Sequence, residues 1–520
     1  MTYTVVQKVR GNFYLYEVES TWDPVKKRSQ QTRRYIGKCD EDGNLIGKGK
    51  DRTVSDPLSI VSKSFGQYYL LMGIARNAGF VDALERVFGT ENGRIMACFF
   101  VNRAARPGPP AMSIELLNEC FLPEMMGVDL KDWSPARKLL INLGAAFNDR
   151  YSLFRELADG GDAVVYELTS LVENFTPLEN LRGDLGYGFS GLPKSKVYLG
   201  FSGNRCFYFT FVSPGERDSD TMASVAEELR GLEMGGTEFF LRPREFKGRE
   251  LTDVVSSGIG FSAQVLADSA LGRRLMAEST KALKGPLDTY VYHGSVYRIY
   301  EKEEEVAGRA ARFLVFVNEK RRNDEVLSLY SRLDEAERSI SSTPWSEIAE
   351  HNGVKTLYSD VLDLFDISEG KDGMVRTERR RKAISAIENK CGKTVVVTTT
   401  SHPWNKLLEM MNRQNQSDLY LRQFKVDLEE GARLFPSILE GNGSFVQEFM
   451  AIAIRNELEA RLSATPIGNH VSPMEAVAEM GKLKVTRIRG KWALNEVSPL
   501  QRTIMSELGL AVPTNRSLNE

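Results

Sequence analysis

The side chains that most readily do chemistry are scattered along this chain. Cys39, Cys98, Cys120, Cys206 and Cys391 never form a C-x-x-C pair, and His293, His351, His402 and His470 show no metal-ligand spacing. A zinc site, a disulfide framework and a histidine-based hydrolase are therefore not expected. Gly186, Gly188 and Gly191 match the spacing of a dinucleotide fingerprint, which works only where a strand runs directly into a helix N-terminus. Here Leu192-Pro193 and another strand-like run follow. Gly392-Lys393-Thr394 has Ile387 where a phosphate-cradling P-loop needs its first glycine, so nucleotide binding is rejected at both places.

Basic clusters offer a different chemistry, contact with a phosphate backbone. Lys26, Lys27, Arg28, Arg33 and Arg34 form the first, and Arg376, Arg379, Arg380, Arg381 and Lys382 the second, ahead of and entering the helical RRRKAISAIENK. Several arginines in one helical turn make a dense positive face suited to phosphates, and equally a solvated helix start. A third run, Lys482 to Lys491, alternates as a strand would, placing Lys482 and Lys484 on one face; a lysine-protected sheet edge explains it as well.

The elements that must position these residues change period along the 520-residue chain, which is long enough for several domains. Residues 1–60 alternate apolar and polar residues, as half-buried strands do, with Gly11-Asn12 as the first turn. Residues 61–160 turn helical in FGQYYLLMGIARNAGF, RIMACFFVNRAA and ARKLLINLGAAF, an all-helical unit that could read DNA. From Asp162 the order is three strands, helix, strand, helix, strand, that of an RNase H-like α/β core. Its first part is placed at 161–266, a β-containing insertion at 267–400, and the second part at 401–465. That second part carries two helices, LLEMMNRQ and LYLRQFKVDLEEGARLF, and 466–520 is a C-terminal segment.

Composition bounds the partners. Lys and Arg number 68 against 70 Asp and Glu, a formal net charge of -2, so bulk charge does not drive DNA binding while local basic faces still can. No window reaches the roughly 18 apolar residues of a membrane span, and the N-terminus lacks the pattern of a signal peptide. No membrane partner and a cytoplasmic location are expected.

The wording of these elements resembles the insertion-sequence DDE transposases, the bacterial and archaeal group with a Tyr-Arg-Glu-Lys pattern. FYLYEVESTWDPVKKRSQQTRRYIGK resembles that group's N-terminal strand unit, and VVYELTS its first catalytic strand. VSPGERDSDTM resembles the turn after the strand hairpin, and FKGRELTDVVSSGIGFSAQV the helix and strand after the second acid. KTVVVTTTSHPWNKLLEMMNRQNQSD resembles the approach to the third. The resemblance implies two Mg²⁺ ions held by three carboxylates, about 3.5–4 Å apart, that clamp an in-line phosphodiester displacement. It also implies double-stranded DNA at element ends as partner, paired by a homodimer.

Carried over residue by residue, the resemblance puts the first acid at Glu167, one methylene longer than the family's Asp; a shift of about 1 Å costs roughly 10²-fold in a positioned reaction. The second falls on Arg242, which neither deprotonates nor coordinates a cation. The third falls on Asp418, with Lys425 seven residues later, while Met411 and Gln414 replace the pattern's Tyr and Arg. Glu167 and Asp418 are the retained candidate metal ligands. Arg242 is expected to pair with both and neutralise the vacant site. The expected function is a DNA-binding protein of transposase lineage with an impaired or lost nuclease. The alternatives are an active cut-and-paste transposase that recruits Glu238 or Glu245, a domesticated DNA-binding regulator, and a decayed copy.

Overall fold

In the computed structural model the described residues are 2–9, 11–23, 28–42, 61–106, 113–129, 134–145, 147–172, 194–212, 216–283, 285, 287–346, 358–430, 438–488 and 490–519. The chain forms two compact units, Met1–Val61 with Arg487–Lys491, and Ser62–Thr486 with Trp492–Glu520.

In the smaller unit, β1 (Thr2–Val9), β2 (Asn12–Asp23) and β3 (Arg28–Cys39) make an antiparallel meander. Gly11 turns the first corner at φ 84°, a left-handed conformation that glycine adopts without a Cβ clash. A register shift at Leu15/Tyr16 skips Ile36, which sets the Tyr16 and Tyr35 rings edge to face at 5.5 Å.

The larger unit begins at Ser62, within β4 (Val61–Ser64), and among the described residues continues with seven helices between Gly66 and Leu157. The Thr90–Ala105 helix is buried on almost every side, from Ile95 through Ala104, so apolar residues run around it rather than along one stripe. It packs on the Ile438–Ser463 helix. There Arg103 meets Glu448 at 2.5 Å with 4% and 1% of their side chains exposed, and Arg455 donates to the carbonyls of Arg103 and Ala104.

The remaining chain is mixed α/β, built on one large mixed sheet. In sequence order its strands are β5 (Ala163–Val172), β6 (Lys194–Ser202), β7 (Arg205–Val212), β8 (Thr237–Arg244) and β9 (Gly260–Val265). Then come β10 (Thr289–Tyr292), β11 (Ser295–Val306) and β12 (Arg309–Asn318). The hairpin β13 (Phe365–Glu369) and β14 (Val375–Arg379) lies outside the sheet, and β15 (Lys393–Thr398) rejoins it. Across the sheet the order is β10-β11-β12-β15-β9-β8-β5-β6-β7. β5 runs parallel to β8 and β8 to β9; every other pairing is antiparallel. The parallel centre reads as continuous apolar runs because both its faces are covered.

A second apolar cluster, including Leu333, Ala336, Ile340, Phe365, Val375 and Ile384, joins the Glu319–Ser341 helix to the β13–β14 hairpin and the Arg381–Glu388 helix. Two expectations are corrected. The pair of helices expected after β15 is one 27-residue helix, Trp404–Glu430. Lys482 lies ahead of β16 (Lys484–Ile488), paired with Glu479 at 2.5 Å, so it shares no strand face with Lys484. β17 (Lys491–Leu494) completes the strands.

Candidate functional site

Glu167 sits on β5, opposite Tyr198 of β6 and beside the end of β8. The β8–β9 ladder shifts between Leu241 and Arg244, so that Arg242 and Pro243 face a single residue of β9. Pro243 has no N–H to give the ladder, which makes this the natural place for a bulge, and the bulge re-aims the strand end toward β5. The Arg242 N–H donates to Glu167 Oε2 at 3.1 Å, and the Arg244 side chain turns back over the same carboxylate.

Four side chains result in a closed charge cluster. The Arg244 guanidinium bonds Glu167 with one nitrogen, Asp218 with another, and the Arg242 carbonyl with Nε at 3.2 Å. Lys196 of β6 donates to Asp218 Oδ1 at 2.7 Å and stands 3.9 Å from Glu167 Oε1. Asp218 is the first residue of the Asp218–Gly231 helix, where a carboxylate also meets the positive helix end. The side chains of Glu167, Asp218, Arg244 and Lys196 are 6%, 16%, 16% and 20% exposed, so two acids and two cations neutralise one another largely out of water. Tyr198 lines this pair of acids. Burial, followed by the Glu167 and Asp218 charges, raises its phenol well above the ordinary value, and its hydroxyl has no hydrogen-bond partner among the described residues.

The Trp404–Glu430 helix is fixed to the sheet at the same level. Gln414 Nε2 donates to the carbonyl of Glu167 at 2.9 Å and to that of Phe240 at 3.0 Å, bridging β5 and β8. Asp418, one turn on, is 8% exposed and accepts from Arg422 Nε at 2.7 Å. Lys425 lies two turns further along the same helix, and its side chain falls outside the described residues.

The expected pairing of Arg242 is thus corrected. Its backbone holds Glu167, its guanidinium is in no ion pair among the described residues, and Arg244 neutralises Glu167 together with Asp218 rather than Asp418. Neither proposed substitute acid reaches the cluster: Glu238 accepts from His402 Nε2 at 2.8 Å near the start of β8, and Glu245 faces Lys247 at 3.6 Å. Among the described residues no group of three or more His, Cys, Asp or Glu side chains is arranged to hold a metal.

The basic clusters divide. Lys26 and Lys27 lie outside the described residues, as does the side chain of Arg28; Arg33 and Arg34 are exposed on opposite faces of β3. Of the second cluster only Arg381 and Lys382 enter the Arg381–Glu388 helix, while Arg376 and Arg379 belong to β14. Arg379 is held by Asp334 and by Glu337 at 2.6 Å, and Arg380 by Asp366 at 2.6 Å. Arg376, Arg381 and Lys382 are exposed and in no ion pair among the described residues, the last two at a helix start whose dipole disfavours them. Of the five residues in this cluster, three therefore carry charges in no ion pair among the described residues.

Lys196, Asp218 and Arg244 are the site residues that sequence reasoning missed. Arg244 carried a misleading signal, since a regular strand would put it on the face of Arg242 and the bulge at Arg242–Pro243 moves it to the other. Asp218 and Lys196 carried none, because each comes from a separate element. Among the described residues, no helix is long and apolar enough to cross a membrane. No family model and no curated protein matches the chain.

Proposed function

We propose that this chain is a DNA-binding protein of insertion-sequence DDE transposase descent, built on an RNase H-like core, whose two-metal nuclease site has been replaced by a charge cluster. The strand order β7-β6-β5-β8-β9, antiparallel on one side of β5 and parallel on the other, supports the core assignment. So does the seating of the Trp404–Glu430 helix across β5 and β8 through Gln414. The strands from β10 to β14 fall between β9 and β15, where the insertion is proposed.

The observation that carries the proposal is Arg244 between Glu167 and Asp218. A two-metal mechanism needs carboxylate oxygens free to hold hard cations. Here those oxygens accept from a guanidinium, an ammonium and a backbone N–H. Arginine stays charged at any working pH, so the cluster has no net negative charge and no free carboxylate oxygens to offer Mg²⁺.

The test incubates the purified chain with duplexes carrying the DNA that flanks its gene, with Mg²⁺ or Mn²⁺. Salt-sensitive binding without strand cleavage is expected. Metal-dependent cleavage that disappears in Glu167→Gln or Asp418→Asn would overturn the proposal and restore the reading of an active transposase.

A further inference from the structure

One motif of the sequence is left unused by the site above. Gly392 and Lys393 join the Arg381–Glu388 helix to β15, the reverse of the strand-to-helix order of a P-loop. Gly392 adopts φ 70°, and a Cβ there would stand 2.5 Å from Arg322 Cβ and 2.7 Å from the Asn318 carbonyl. Only glycine lets the chain pass so close to the Glu319–Ser341 helix. That approach sets Lys393 beside Arg322, on the wall of a cavity of about 250 Å³ lined also by Arg298, Thr280, Ser385 and Asn389.

The charges in this cavity do not balance locally. All three bonds from the Lys393 ammonium go to neutral oxygens: the Met276 carbonyl at 3.1 Å, Thr280 Oγ1 at 2.6 Å and Asn389 Oδ1 at 2.9 Å. Glu319 is taken by Arg298 at 2.5 Å and stands 3.8 Å from Arg322. Glu388, on the cavity wall, accepts from the Tyr330 hydroxyl at 3.4 Å. The lining thus holds three cations and one acid, Glu388; Glu319 and Glu325 stand outside it, the latter accepting from the Gly392 N–H at 2.6 Å and 3.3 Å from Arg321. Burial first, then the neighbouring Arg322 and Arg298, pulls the Lys393 ammonium down to about 8.

We propose that the cavity framed by Arg298, Arg322 and Lys393 binds a phosphate group. A phosphate presents several strong acceptor oxygens with one negative charge as a backbone diester and up to two as a monoester, and here it meets two guanidiniums, an ammonium and the Thr280 and Ser385 hydroxyls, the donor set that charge-assisted bonding rewards. Its source is either a nucleic-acid backbone or a free phosphorylated compound. The site does not rest on the transposase reading.

The experiment titrates full-length protein with inorganic phosphate by calorimetry, in wild type, Arg322→Gln and Lys393→Met. Saturable binding is expected in wild type and a loss of about tenfold or more in each variant. Arg502→Gln, which removes an exposed charge on the Pro499–Glu507 helix, should bind as wild type does. Arg322 is partly exposed, so its variant carries the test if Lys393→Met does not fold. A DNA duplex titrated in parallel separates the sources: a matching loss of duplex affinity identifies the backbone, and unchanged duplex affinity identifies a free phosphorylated compound. The proposal is overturned if wild type binds no phosphate saturably, or if both variants bind it undiminished.

Discussion

Replacing Arg244 with serine tests the charge cluster most directly. The substitution leaves Glu167 and Asp218, 6% and 16% exposed, facing each other with Lys196 as the one side-chain cation left to them among the described residues. Removing one partner of a fully buried ion pair costs about 3–5 kcal/mol. Partial exposure and the surviving 2.7 Å contact of Lys196 to Asp218 reduce that here to about 2–4 kcal/mol. Arg244→Met combined with Glu167→Gln removes charges of both signs and should recover most of the loss, since balanced replacement of a buried pair is often neutral. The serine variant also frees carboxylate oxygens for a cation. Mn²⁺ at about ten times its dissociation constant would then return about 1.4 kcal/mol to the variant and nothing to wild type. Urea unfolding of both proteins, with and without Mn²⁺ and followed by a probe in the larger unit, reads all of these. A cost below about 0.5 kcal/mol, or equal stabilisation of wild type and variant by Mn²⁺, would refute the reasoning.

Two further outcomes follow from named contacts. Hydrogen bonds from Arg274 and Lys302 hold Glu304 down at about 2, so its contribution is complete above the ordinary carboxylate value near 4.5 and is lost as pH falls from there toward 2. Acid unfolding of wild type and Glu304→Gln should therefore differ at neutral pH and converge at the acid end of that window; a gap that does not change with pH contradicts the assignment. If the chain binds DNA through its second basic cluster, Arg381→Ala and Lys382→Ala should each lower the slope of log affinity against log salt by about 0.9. Arg379→Ala, whose guanidinium is already committed to Asp334 and Glu337, should change that slope little and stability more. Equal slopes in all three variants would remove the cluster from the interface.

Much of the architecture was legible because local pattern and final environment agree. Alternation marked β1 to β3, the runs AVVYEL and EFFL marked β5 and β8 as strands, and KTVVVTTT marked β15 as a buried one. The Trp404–Glu430 helix was divided in two because RQNQSD interrupts its apolar stripe. In the folded chain that stretch carries Gln414 against two strand carbonyls, Ser417 against Asn456, and Asp418 against Arg422. Buried polar groups with partners look like a surface when only hydropathy is read. The site divides in the same way. Glu167, Arg242 and Asp418 were singled out by local wording, whereas the partner of Glu167 depends on a one-residue bulge at Pro243 and on where the helix just before β8 begins.

Under the proposed transposase descent, the way the acids are compensated is what a retained scaffold predicts and a decaying copy does not. Carboxylates grouped for metal binding repel each other when the metal is gone, and random loss at such a site would leave some of them orphaned. Here Glu167 and Asp218 share Arg244, Asp218 is also bonded by Lys196, and Asp418 is bonded by Arg422 from its own helix. The cations come from β6, from β8 beyond its bulge, and from the Trp404–Glu430 helix, so no single substitution could have produced the arrangement. A guanidinium in this position neutralises the acids without any bound ion, and it does so at every pH where those acids are charged. The protein thus neutralises the carboxylates beside the β5–β8 strand ends with its own side chains.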